Sequence, residues 1–140
     1  MQITVETTIN ANVETVWEAW TNPAFIKQWN AASKDWCCPQ AEIDLHEGGY
    51  FKYRMESRDG AMGFDFVGQF TRLKLLHTIE YTIEDGRHVS IHFKEDDQGV
   101  HISETFDAET QYSEAEQKAG WQAILDNFKN NVESVPHITQ

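Results

Sequence analysis

Glu104 is the residue whose type and setting point most directly to chemistry. It stands between Ile102 and Phe106 in an alternating run, so a strand there carries its carboxyl on the apolar face. A carboxyl in apolar surroundings is pushed towards its neutral form and can act as a general acid or base. Tyr53 and Tyr81, on other apolar runs, could share that role, and these three are the catalytic candidates. The plainer alternative for Glu104 is a solvated or paired carboxylate at a cavity mouth. Cys37 and Cys38 are adjacent. Consecutive α-carbons lie about 3.8 Å apart, below the usual disulfide floor of about 4.4 Å, so free thiols are expected. The pair also lacks the spacing and the second pair that a zinc site needs. Among the six histidines, His88 and His92 are four apart on an expected strand, about 13 Å, and none shows ligand spacing. No metal and no cofactor is expected. No Ser-His-Asp, Cys-His or paired-carboxylate spacing argues for a nucleophile or a glycosidase pair.

The elements that must position these groups are legible in the hydrophobic pattern. Ile3, Val5, Thr7 and Ile9 alternate as a first strand, and Asn12 is an expected N-cap for a helix with Val13, Val16, Trp17 and Trp20 on one face. Asn22-Pro23 restarts the chain as a second short helix, with Pro at its first position and Phe25, Ile26 and Trp29 facing inward. Residues 30–40 read as a loop holding Asp35, Trp36 and both cysteines, followed by a short strand over 41–46. Strands over 50–57 and 62–73 meet at an Asp59-Gly60 turn. That turn pairs Met55 with Phe64, Tyr53 with Phe66 and Phe51 with Gly68, and sets Arg54 opposite Asp65 on the other face as a surface ion pair. Strands over 76–84 and 87–95 join by a three-residue turn that pairs Ile83 with Arg87 and Tyr81 with Val89. A two-residue turn would mix their faces, since one slip flips every side chain. A last turn at 96–99 sets Phe93 opposite Ile102 and Ile91 opposite Glu104. Residues 113–135 form one long helix, opened by a Ser113/Glu116 capping box and striped by Trp121, Ile124, Leu125, Phe128, Val132 and Val135. Gly120 inside it costs about 1 kcal/mol relative to alanine, which a close approach to the sheet or a bend would explain.

A chain of 140 residues with 40% hydrophobic residues, including five Trp, four Tyr and eight Phe, fits one folded domain over residues 1–140. Its formal net charge of −12 opposes nucleic-acid phosphate and anionic membrane surfaces. The first strand has no signal-peptide character, and no apolar run approaches the roughly 18 residues of a membrane helix. A soluble, cytoplasmic protein is expected, as a monomer or weak homodimer.

The motifs VETVWEAWTNP, Trp29-Asn30, Asp35-Trp36 with Cys38-Pro39, Gly48-Gly49-Tyr50-Phe51, Tyr53-Arg54-Met55, GFDF from Gly63 and GWQAIL from Gly120 stand in a characteristic order. In that order the whole chain resembles the activator-of-heat-shock-protein-90-ATPase homologue family. This family is part of the START-like or SRPBCC superfamily, which includes polyketide cyclases and the birch pollen allergen. The resemblance implies an α+β helix-grip fold: a seven-stranded antiparallel sheet wrapped around a long C-terminal helix, two short helices after the first strand, and a hydrophobic cavity. It also implies lipid, sterol or polyketide binding, catalysis on such molecules, or a co-chaperone role. The eukaryotic co-chaperone has a separate N-terminal domain that this chain lacks, so the expectation rests on the helix-grip domain itself.

Three functions follow as expectations. The first is a non-catalytic binding domain for a small hydrophobic or amphipathic ligand, walled by Phe51, Tyr53, Met55, Phe64, Phe66, Phe70, Tyr81, Phe93, Glu104, Trp121, Leu125 and Phe128, with Trp29, Trp36 and His46 at the rim. The bland alternative is that a sheet and a helix need this much apolar surface merely to pack. The second is a module that docks on a chaperone by its surface. The third is a cyclase- or hydratase-type enzyme using Glu104, Tyr53 or Tyr81.

Overall fold

A computed structural model describes residues 1–134. The elements run β1 (Gln2–Ile9), α1 (Val13–Thr21), α2 (Pro23–Trp29), β2 (Trp36–Ile43), β3 (Tyr50–Ser57), β4 (Gly63–Lys74), β5 (Thr78–Ile83), β6 (His88–Asp96), β7 (Gly99–Asp107) and α3 (Glu114–Ser134). The seven strands form one antiparallel sheet in the order β1-β7-β6-β5-β4-β3-β2. This is an α+β helix-grip fold. Val135, placed on the last helical stripe by its spacing, lies outside the described residues.

The registers follow from turn chemistry and alternation. Met55 pairs with Phe64, Tyr53 with Phe66, Phe51 with Gly68 and Arg54 with Asp65. Tyr81 pairs with Val89, and the amide of Ile83 donates to the Arg87 carbonyl at 2.9 Å, closing the three-residue turn. Ile91 faces Glu104 and Phe93 faces Ile102. Gly99 carries the last turn at φ +125°, where a Cβ would come within 2.0 Å of the Ile9 carbonyl oxygen.

Four local expectations are corrected. The segment around the cysteines is strand from Trp36 onward, with a bulge between Cys37 and Gln40. β2 is an edge strand, paired only with β3, so the missing N–H of Pro39 costs no central ladder bond. Strand β5 starts at Thr78 rather than residue 76, because Leu76 sits in the turn before it at φ +67°. Phe25 turns outward at 37% exposure, leaving Ile26 and Trp29 as the buried face of α2. Gly120 makes no close approach to the sheet, since a Cβ there would meet nothing within 4 Å.

The caps form as the side chains dictate. Asn12 accepts from the Thr15 amide at 2.8 Å and Asn22 from the Ala24 amide at 2.9 Å. Ser113 Oγ accepts from the Glu116 amide at 3.1 Å while Glu116 accepts from the Ser113 amide at 3.2 Å, a reciprocal box that starts α3. Helix α3 lies closest to β1 and α2. Over β3, β4 and β5 it stands off, and that gap becomes the cavity.

Candidate functional site

Bulges at Cys37–Gln40 in β2 and at Phe70–Arg72 in β4 bend one half of the sheet. Between that half and α3 lies a cavity of about 450 Å³, within the range of ligand pockets. Its sheet wall is Tyr53 and Met55 from β3, Phe64, Phe66 and Phe70 from β4, Ile79 and Tyr81 from β5, and Glu104 from β7. Gly120, Trp121 and Ile124 of α3 form the opposite wall, and Trp20, Thr21, Trp29 and Asn30 close one end. The exposed lining residues Leu45, Phe64, Tyr112 and Glu116 mark where it meets solvent.

The rings hold one another. Trp121 stacks on Phe106 with centroids 3.9 Å apart and meets Phe66 edge-on at 6.4 Å. Phe51 lies 4.8 Å from both Tyr53 and Tyr81 and 5.3 Å from Phe70. Such contacts fix the wall beyond what burial alone requires.

All three catalytic candidates, Glu104, Tyr53 and Tyr81, line this cavity. Glu104 is 6% exposed, and its neighbours across the strands are Val5 and Ile91. Burial alone raises its pKa from 4.5 to about 8, so the carboxyl is neutral at pH 7. Burial, and secondarily the charge of Cys38, pushes the Tyr53 phenol well up. Tyr81 is raised by burial first, then by Glu104 and Tyr53. Both phenols therefore remain O–H donors.

Of the other expected wall residues, Met55, Phe64, Phe66, Phe70 and Trp121 also reach the cavity, whereas Phe51, Phe93, Leu125 and Phe128 do not. Phe51 is buried over Gly68, where an added Cβ would lie 2.5 Å from its ring. Phe93 is covered by Trp17 at 5.3 Å and Trp20 at 5.7 Å. Phe128 lies behind Trp20 and Trp29, which themselves form the end wall, and Leu125 is buried in the core. Trp29 is thus wall rather than rim, its indole N–H donating to the Ala19 carbonyl at 2.9 Å. Trp36 lines a separate surface groove with the free Cys37 and Cys38, where burial pushes the Cys38 thiol up to about 11. His46 is exposed, 2.8 Å from Asp44.

A polar cluster at the mouth escaped the sequence reading. The buried Gln117 donates from Nε2 to the carbonyls of Glu109 at 3.1 Å and Tyr112 at 2.8 Å, and its Oε1 accepts from the Glu109 amide at 2.9 Å. This side chain ties the segment after β7 to α3. Arg87 reaches Glu109 Oε2 at 3.7 Å and Asp85 at 2.8 Å, while Glu109 Oε1 is buried with no partner among the described residues. Arg87's place opposite Ile83 and Gln117's place on α3 were visible beforehand, and loop docking sets the rest. Among the described residues no group of three or more His, Cys, Asp or Glu could hold a metal ion.

Gly120 gives a direct check on the cavity. Gly120→Ala should stabilise α3 by about 0.4–1 kcal/mol, because the added methyl meets open space. It should also weaken binding of a bulky probe, because that space is cavity. Thermal melting and a probe titration measure both; destabilisation would show that the helix is seated against the sheet at this point.

The comparisons agree with this geometry. The family model described as Activator of Hsp90 ATPase homolog 1-like protein matches residues 10–133. The solution structure of an AHSA1-like protein from Aeromonas hydrophila is 46% identical, covering 96% of this chain and 93% of that one, with a TM-score of 0.91. A solution structure from Cytophaga hutchinsonii is 44% identical over 98% of both chains, with a TM-score of 0.82. A crystal structure from Nitrosomonas europaea shares the fold at 18% identity, covering 94% of each chain with a TM-score of 0.81. No curated protein matches significantly. No helix among the described residues is long and apolar enough to cross a membrane. With the family model spanning most of the sequence, the chain belongs to the Activator of Hsp90 ATPase homolog 1-like family.

Proposed function

We propose that this protein binds a small hydrophobic or amphipathic molecule between its sheet and α3. The observation that carries this reading is the cavity of about 450 Å³ with Phe66, Phe70, Tyr53, Tyr81, Trp20 and Trp121 around it. A domain that needed these rings only for packing would leave no space of this size between them. Open apolar space costs contacts that packing would otherwise make. A ligand restores them.

Titration with Nile red and a panel of sterols, fatty acids and aromatic ketones, followed by NMR, tests it. The indole resonances of Trp121 and Trp20, both in the cavity lining, should shift saturably. Unchanged indole spectra across the panel would move the weight to the second reading, a module docking on a chaperone. That reading rests on the description of the matching family. The buried Glu104 beside Tyr81 favours a third, acid–base catalysis on the bound molecule, for which turnover abolished by Glu104→Gln is the mark.

A further inference from the structure

Three O–H groups face the cavity from different strands: the Glu104 carboxyl on β7 and the phenols of Tyr81 on β5 and Tyr53 on β3. None of them has a hydrogen-bond partner among the described residues. Glu104 is more than nine-tenths buried, between apolar neighbours that offer it nothing. Polar groups in such a place are costly unless something answers them. Resting on the reading of the cavity as a ligand site, we infer that Glu104 is the hydrogen-bond donor that anchors a neutral, largely apolar carbonyl compound.

The competing ligand classes fail on chemistry. An anionic head would meet Glu109 and Glu116 in the lining, with Arg87, the one lining cation among the described residues, already engaged by Asp85 and Glu109. A cationic head would need Glu104 ionised in its buried place and would itself lose its water, two desolvation costs at once. A plain hydrocarbon would leave three donors unanswered, and sites built around polar groups discriminate strongly against such analogues. An uncharged oxygen accepts the proton donor with no buried charge. Burial keeps the Glu104 carboxyl protonated up to about pH 8, so the donor is present at neutral pH.

Four naphthalenes of nearly one shape provide the test: 2-acetylnaphthalene, 2-isopropylnaphthalene, 2-naphthoate and 1-(2-naphthyl)ethylammonium, titrated against the Trp121 indole resonance. At about pH 6 the ketone should bind about five- to tenfold more tightly than the isopropyl compound. This preference should disappear at about pH 9.5, where a carboxylate can no longer donate. The other titratable or charged groups at the cavity are Tyr53, Tyr81, Arg87, Glu109, Tyr112 and Glu116. All are retained in Glu104→Gln, whose amide donates at every pH and should keep the preference at both. Glu104→Leu should lose it at both.

If the isopropyl compound binds as well as the ketone at about pH 6, the anchor is wrong while the cavity remains a ligand site. If no naphthalene binds at either pH, both the site reading and the anchor fall. A ketone preference that persists at about pH 9.5 in the unaltered protein would assign the donor to a tyrosine. Tightest binding of the ammonium compound, growing with pH, would make Glu104 an ion-pairing carboxylate. Either of the last two results overturns the inference.

Discussion

Phe128→Ala is expected to destabilise the fold by about 3–5 kcal/mol, the range for emptying a buried aromatic site. Phe128 is fully buried, and its ring meets Trp20 at 4.8 Å and Trp29 at 4.9 Å, both nearly edge-on. These two indoles are also the end wall of the cavity. Truncation therefore removes the support of α1 and α2 against α3 at the point where the helix is gripped. It also leaves a void behind that wall, in a fully buried place. Urea titration of the two proteins measures the loss. A value under 1 kcal/mol would mean that α3 is not clamped at Phe128 and that the cavity's end wall stands without it.

The strand registers were legible because two independent signals agree in them. Around Asp59-Gly60, the turn residues fix the pairing, and the same pairing sets Met55, Tyr53 and Phe51 on one face and Arg54 opposite Asp65 on the other. Around Asp85-Gly86 the turn residues alone were ambiguous, and the alternation of Tyr81 and Val89 decided it. The start of β2 was hidden because Cys37-Cys38-Pro39 reads as irregular chain, and only its edge position in the finished sheet makes Pro39 harmless there. Face assignment also has a limit. Phe51, Tyr53, Phe93 and Glu104 all stand on the inner face, but which of them borders space depends on what α1 and α2 cover. Phe93 is covered by Trp17 and Trp20, and Tyr53 is not. Gln117, Glu109 and Arg87 converge through a loop whose docking no local pattern encodes.

Glu104→Gln should make the protein more stable at pH 7, by roughly 3 kcal/mol, an order-of-magnitude figure from linkage. Burial raises the folded-state pKa of Glu104 from 4.5 to about 8. Below pH 4.5 the carboxyl is protonated in both states and imposes no penalty of ionisation. Between pH 4.5 and about 8 the unfolded chain gives up this proton and the folded chain keeps it. Stability therefore falls as pH rises, by about 1.4 kcal/mol for each pH unit, and levels off above the folded pKa. Asp59, Asp85, Asp107 and Glu133 have lowered values and act in the opposite sense, losing their contribution as the medium is acidified. Those groups are present in both proteins and cancel in the difference. The glutamine amide, like the neutral carboxyl, faces the cavity with its polar atoms unanswered, so the comparison isolates the charge. Denaturant titrations of both proteins from about pH 4 to about pH 9 should give curves that start together and separate progressively. Parallel curves would show Glu104 to be solvated or ion-paired in the folded protein, and a solvated carboxylate could not serve as the neutral donor that anchors a ligand carbonyl.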